Sequence, residues 1–245
     1  MQLLKQFRRS CLDKALKTLD KNIPTRDERD YGTLCFSQSG EDGILNYLLP
    51  SLGFFIDIGA HHPLRYSNTH MLYRRGWRGI NIDPIPGAKK LFDYFRPNDI
   101  NLEIAVGSKK KKAHYYSFEE GCYNTMDRLL AKDLIEKGIS KFLGVTDIDV
   151  HPLKRVCRQH VPAGQKIDLL TVDAEGMDSE ILQTHDWRRY RPMHVVVENH
   201  WKYHRNKNPC AFLRKCGYRQ VACTPFSAIF ADSAKSEKQS RRQDI

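Results

Sequence analysis

Four short apolar runs in this sequence deliver acids or acid-rich turns. Phe54-Phe55-Ile56-Asp57-Ile58 leads into Gly59-Ala60-His61-His62, and Arg78-Gly79-Ile80-Asn81-Ile82 leads into Asp83. Further on, Ile167-Asp168-Leu169-Leu170-Thr171-Val172 leads into Asp173-Ala174-Glu175-Gly176, and His194-Val195-Val196-Val197 leads into Glu198-Asn199-His200. Carboxylates gathered at one edge can face a cation, accept hydrogen bonds from hydroxyls, take up a proton or ligate a hard metal ion. Asp83 follows Asp57 by 26 residues, about the length of one strand-helix-strand unit, and is placed to accept from the two hydroxyls of a ribose. The plainer alternative is that both are ordinary strand-end acids.

Gly59-Ala60-His61 lacks the full G-x-G-x-x-G that seats a dinucleotide pyrophosphate on a helix N-terminus. A nicotinamide dehydrogenase is therefore the weakest reading. A nucleoside without a pyrophosphate fits better, and S-adenosylmethionine is the common one. Its ammonium suits the neighbourhood of Asp57, its ribose suits Asp83, and its adenine is expected at the loop Ala105-Val106-Gly107. The donor-binding residues on this reading are Asp57, Gly59, Ala60, His61, Asp83, Ala105, Val106 and Asp173.

The elements that must position these residues alternate between strand and helix. Runs that are apolar at consecutive positions suit strands buried on both faces of a parallel sheet, and ligands bind at the carboxyl ends of such strands. Helices are expected over residues 68–75, 87–95, 126–137, 151–160 and 178–184, with Ile100 to Val106 as a third strand. Tyr218 to Cys223 and Phe226 to Ala231 form a last antiparallel pair turning at Thr224-Pro225. Residues 107–163 interrupt the alternation and are the expected acceptor-recognition insert. Ser37 or Ser39 is expected to cap a helix with Glu41 and Asp42 in its first turn. Leu4, Phe7, Cys11, Leu12, Ala15, Leu16 and Leu19 predict an N-terminal amphipathic helix. It could pack on the core, on a second subunit or on a membrane surface. The chain then divides into that helix and linker at 1–36, one α/β domain at 37–232 and a disordered basic tail at 233–245.

The runs Ser37-Gln38-Ser39-Gly40-Glu41-Asp42, Phe55-Ile56-Asp57-Ile58-Gly59-Ala60, Ile167 to Gly176 and Val195-Val196-Val197-Glu198 resemble the FkbM family of S-adenosylmethionine-dependent methyltransferases. The likeness covers about residues 37 to 231, and strand-Asp-x-Glu-Gly is its most specific part. It implies a Rossmann-like class I methyltransferase sheet of about seven strands, the last pair antiparallel. It also implies O-methylation of a hydroxyl on a sugar, a glycan or a glycosylated natural-product precursor, and, as an alternative to a purely capping role, that Gln38 and Glu41 border the cofactor or acceptor site.

Methyl transfer from a sulfonium is an in-line displacement, and a sugar hydroxyl keeps its proton at neutral pH until something takes it. Asp173, Glu175 and His200 are the catalytic candidates, with His200, or His61 from the first loop, as a general base oriented by a carboxylate. A second mechanism places Mg²⁺ on Asp173, Glu198 and Asn199. It is prompted by a resemblance to metal-dependent catechol and macrolide-sugar O-methyltransferases, from which Glu175 departs by adding an acid. The remaining histidines His70, His114, His151, His160, His185 and His204 are expected on the surface, and His62 is expected to shape the turn before Pro63.

With 245 residues, 40% of them hydrophobic, the chain can bury one substantial core. No uninterrupted apolar stretch is long enough to span a bilayer, and no secretory signal is evident. Seven cysteines without a C-x-x-C pair suit reduced thiols in a cytoplasm. A formal charge of +11 favours an anionic partner, yet Lys109-Lys110-Lys111-Lys112 reads as a solvated turn. The basic runs also lack the interleaved aromatics that stack nucleic-acid bases. An RNA methyltransferase of the same fold is the runner-up, and a non-catalytic Rossmann-like binding protein is the reading from a different class.

Overall fold

The computed structural model describes residues 34–174, 176–199 and 208–234. The expected N-terminal helix, the tail beyond Ala234, Glu175, His200 and His204 lie outside the described residues. In chain order the elements are α1 (Glu41–Leu48), β1 (Phe54–Ile58), α2 (His70–Arg74), β2 (Arg78–Ile82), α3 (Ala88–Phe95), β3 (Ile100–Leu102), β4 (Ala105–Val106), β5 (Lys111–Phe118), α4 (Arg128–Glu136), β6 (Phe142–His151), α5 (Leu153–His160), β7 (Leu169–Val172), α6 (Asp178–Gln183), β8 (His194–Glu198), α7 (Pro209–Lys215), β9 (Tyr218–Cys223) and β10 (Ser227–Asp232).

Seven strands form one sheet in the order β3-β2-β1-β7-β8-β10-β9. Within it β10 runs antiparallel to both of its neighbours, whereas β3, β2, β1, β7 and β8 pair in parallel. Every residue of β1 is buried, because helices cover both faces. On one face Phe54, Ile56 and Ile58 pack with Leu153, Val156 and Cys157 of α5, Ile181 and Leu182 of α6, and Leu213 of α7. On the other, Phe55 packs with Leu45 of α1, Leu72 of α2 and Trp77. Alternate residues of a strand point to opposite faces, so the run of apolar residues that marked β1 serves two cores at once. Among the described residues no helix is long and apolar enough to cross a membrane.

The predicted strand at 100–106 is two strands. Ile100–Leu102 joins the main sheet as β3, and the chain then steps away so that Ala105–Val106 pairs in parallel with Val150 and His151 of β6. With the antiparallel pair β5 and β6 this makes a second, three-stranded sheet. The apolar pattern is continuous across the step because both halves are buried, so pattern alone could not locate it. Of the lysine run, Lys109 and Lys110 lie in the turn from β4 into β5, whereas Lys111 and Lys112 begin β5 and pair with Val150 and Asp149; all four are exposed.

Other local expectations change for identifiable reasons. The N-cap of α1 is Gly40, at φ 85°, not a serine. Ser37 instead donates from Oγ to Asp42 Oδ1 at 2.7 Å and accepts from the Asp42 N–H at 3.3 Å, while Glu41 reaches back to the Ser39 N–H at 2.9 Å. His70 and His185 are buried rather than on the surface. Burial pushes each imidazole down to about 4, so both rings sit inside as neutral groups. His185 donates from Nε2 to the Tyr190 carbonyl at 2.8 Å, and His70 meets the ring of Phe36 edge-on at 4.4 Å.

The carboxyl ends of β1, β2 and β7 are locked together at Gly59. Its N–H donates to Ile82 O at 2.9 Å, and Ile58 O accepts from the Asp173 N–H at 3.0 Å. Gly59 has φ 74°, and a Cβ there would lie 1.7 Å from the Asp173 carbonyl oxygen. Only glycine tolerates both conditions. Gly59→Ala is expected to lose about 3 kcal/mol or more of stability, seen as a lower urea midpoint or as loss of soluble folded protein.

Candidate active site

The main sheet reverses its winding between β1 and β7, and at that switch point the strand ends open a crevice. A cavity of about 800 Å³ lies there. Ile58 and Gly59, Ile82 and Asp83, Asp173 and Ala174, and Glu198 line it from the ends of β1, β2, β7 and β8. Ala105 and Val106 of β4 form one wall. Tyr115, Gly121 and the segment Tyr123 to Met126, with Leu130, Asp133, Leu134, Lys137 and Ile139, face it from the insert, and Gln38, Glu41, Phe226 and Ser227 complete it. The insert thus forms a wall opposite the strand ends. Gly121 stands so close to His61 that a Cβ on it would be 3.1 Å from the imidazole Cε1.

Asp83 is held in one orientation by the backbone. Its Oδ2 accepts from the His61 N–H at 2.7 Å and its Oδ1 from the Ile85 N–H at 2.9 Å. Burial pushes its pKa up to about 6 against those two hydrogen bonds, and Asp57 and Glu103 add to the rise by repulsion. His61 has a left-handed backbone, φ 52°, as does Tyr66 at φ 57°, and the two rings stack at 6.4 Å. Two non-glycine residues in this region flanking a cavity mark strain retained at a site. Burial, then Arg65 and His62, lower the His61 pKa, so its ring is neutral at pH 7. A guanidinium can only donate, so the 3.4 Å approach of Arg65 Nη2 to His61 Nε2 leaves the His61 proton on Nδ1. His62 shapes the turn as expected, its Nδ1 accepting from the N–H groups of Leu64 and Arg65 at 3.1 Å each.

The acids divide by how they are solvated. Burial raises the Glu41 carboxyl, but hydrogen bonds from Thr224, Ser39 and other neighbours outweigh it and leave its pKa lowered. Asp173 lines the cavity among other acids. Desolvation first, then the charges of Asp178, Glu198, Asp57 and Glu41, push its pKa well above the usual carboxylate range. Asp178 is committed elsewhere, accepting from the Ala174 N–H at 2.9 Å and the Glu198 N–H at 3.2 Å. Sequence reading did not single out Asp178; its signal was its place in the first turn of α6, beside the strand end.

The structure brings Gly59, His61, Asp83, Ala105, Val106, Asp173 and Glu198 to one cavity. Gln38 and Glu41 join them, which supports the second of their two expected roles. Ala60 and Asp57 do not line it. Ala60 is buried, with its N–H on Ile82 O at 3.2 Å, and Asp57 lies beneath the floor, accepting from Thr69 Oγ1 at 2.6 Å. Of the three suggested metal ligands, Asp173 and Glu198 face the cavity, whereas Asn199 is absent from its lining and turns its N–H to Phe226 O at 2.7 Å. Among the described residues no three His, Cys, Asp or Glu side chains gather as a metal site. Glu175 and His200 cannot be added to this picture, since both lie outside the described residues.

The family model of the methyltransferase FkbM domain matches residues 57–220, well over half of the chain. No curated protein matches it. Among solved structures it is similar to a TehB-like SAM-dependent methyltransferase from Corynebacterium glutamicum, at 12% identity over 91% of this chain and 99% of that one, with a TM-score of 0.40. A likeness of that size carries no argument; the family match and the strand order do. The chain belongs to the FkbM family of S-adenosylmethionine-dependent methyltransferases and has the Rossmann-like class I fold.

Proposed function

We propose that this protein is an O-methyltransferase acting on a hydroxyl of a sugar, glycan or glycosylated precursor, with the methyl donor on the strand ends and the acceptor against the insert. The observation that carries this reading is the division of the cavity. Its floor is acidic and backbone-shaped, while its opposite wall combines Tyr115, Tyr123, Leu130 and Leu134 with Asn124 and Thr125. Aromatic faces with a few placed polar groups suit the apolar face and hydroxyl rim of a sugar ring.

The residues fit the donor. Gly59 lets the backbone come close, Asp83 keeps a free lone pair on each oxygen for ribose hydroxyls, and Ala105 and Val106 offer a small apolar wall to an adenine. Glu41 and Glu198 supply negative charge where a cation is to sit. When bound, S-adenosylmethionine supplies an electrophilic methyl carbon on a sulfonium. Asp173 then takes the acceptor hydroxyl proton, its raised proton affinity bringing it closer to the working pH. His61, neutral and on the cavity wall, is the other base within the described residues, and the roles suggested for Glu175 and His200 stay part of the proposal. No step is routed through Mg²⁺, because Asn199 does not reach the cavity.

A panel of nucleotide sugars, glycans and RNA incubated with labelled donor tests the acceptor class. Label is expected on a sugar hydroxyl; label on RNA instead, or donor binding without transfer to any sugar, overturns the proposal. Asp173→Asn is expected to lower turnover by roughly 10²-fold or more with donor affinity within a few-fold of wild type by calorimetry. Donor affinity should also depend on pH. Asp57 and Asp83 bind a proton with pKa values raised to about 6, and a cation favours their ionised forms. Affinity is therefore expected to climb as pH rises from 5 through 6 and to level off by 7; a flat titration over that range would contradict the placement of the cation.

A further inference from the structure

Asp57 is adjacent to the donor floor but does not line the cavity, and its surroundings show what it does. In the parallel register Asp57 stands opposite Thr171 of β7 and Asn81 of β2, and Asn81 opposite Asn101 of β3. Opposed residues share a face, so these four polar side chains form one row across four strands, each of them buried. Arg96, just after α3, sits on that row with no exposure at all, its guanidinium 5.2 to 5.6 Å from the ring centroids of Phe55, Tyr73 and Phe92. Its Nε donates to Asp99 Oδ2 at 3.0 Å. Nη1 and Nη2 donate to Thr69 Oγ1 at 3.1 and 3.0 Å.

That geometry fixes a direction. A hydroxyl has one hydrogen and two lone pairs. With two guanidinium N–H groups on its oxygen, Thr69 has its hydrogen left for Asp57 Oδ2. We propose that Arg96 and Thr69 are positioning residues that hold Asp57 ionised beneath the floor, making it a counter-charge for a cationic donor that it never touches. The inference rests on the donor site described above. Asp57 is faced by Arg96 and Asp99 from beyond α3, by Asp83 at the end of β2 and by Asp173 at the end of β7, while His70 of α2 faces Arg96. One buried cation among these acids leaves an excess of negative charge, which a positive ligand in the cavity relieves. Burial alone would keep Asp57 protonated to higher pH, and the Thr69 hydroxyl opposes that.

The test compares S-adenosylmethionine with S-adenosylhomocysteine, which carries a neutral thioether in place of the sulfonium. Affinities for both are measured by calorimetry from pH 5.5 to 8.5 for the full chain, Thr69→Val and Thr69→Ser. Thr69→Val is expected to raise the pH midpoint for the sulfonium ligand by about one unit and to weaken it about threefold near pH 6.5. The thioether ligand should change little, and Thr69→Ser should restore the wild-type profile. Equal weakening of both ligands at every pH would show that the hydroxyl only shapes the floor, and would overturn the relay. Failure of either nucleoside to bind the wild-type chain would instead overturn the donor site itself. If Thr69→Val does not fold, Asp57→Asn serves: it should reduce the preference for the sulfonium over the thioether about tenfold, and an unchanged preference sinks the proposal.

Discussion

The approach of the Gly59 backbone to the Asp173 carbonyl is the constraint on which this molecule depends. It can exist only where a residue without a Cβ adopts a left-handed backbone at the end of a buried strand. Once it exists, β1, β2 and β7 end at one level, and the side chains that follow them face the same space. Asp83, His61 and Asp173 need no separate device to meet; the strand ends deliver them.

What meets there is mostly negative, in a chain that is formally +11. The contradiction is only apparent, because lysines such as Lys109 to Lys112 are solvated while Glu41, Asp57 and Asp83 are buried. Enclosure makes their neighbours decisive. Glu41, supplied with hydrogen-bond donors from Ser39 and Thr224, keeps its charge, whereas Asp173, surrounded by other acids, holds a proton more tightly than an ordinary carboxyl does. The same chemical group, a carboxyl, is thus given opposite shifts in proton affinity by its surroundings.

Much of this was readable from residue order. Consecutive apolar residues ending in Asp57, Asp83, Asp173 and Glu198 marked the central strands, and the broken alternation after Val106 marked the insert. The hidden part lies in contacts between distant segments. Nothing in a sequence of isolated helices and strands announces that Thr224 will reach Glu41, 183 residues away, or that Arg96 will point inward to Thr69. A lone arginine after an amphipathic helix reads as surface, and the Asp99 carboxylate, the Thr69 hydroxyl and the rings of Phe55, Tyr73 and Phe92 together explain its burial. His70 and His185 misled for the same reason, since a neutral imidazole can be buried where a charged one cannot.

The brief step at Glu103-Ile104, where the chain leaves one sheet for the other, has an evolutionary consequence. The seven-stranded platform is closed by its own pairings, and the three-stranded sheet meets it as a separate module over a shared hollow. Substitutions or length changes between Gly107 and Val150 can therefore remodel the far wall while the platform keeps its register. On the proposed division of the cavity, a lineage built on this plan can diversify what it modifies without reinventing how the activated group is seated.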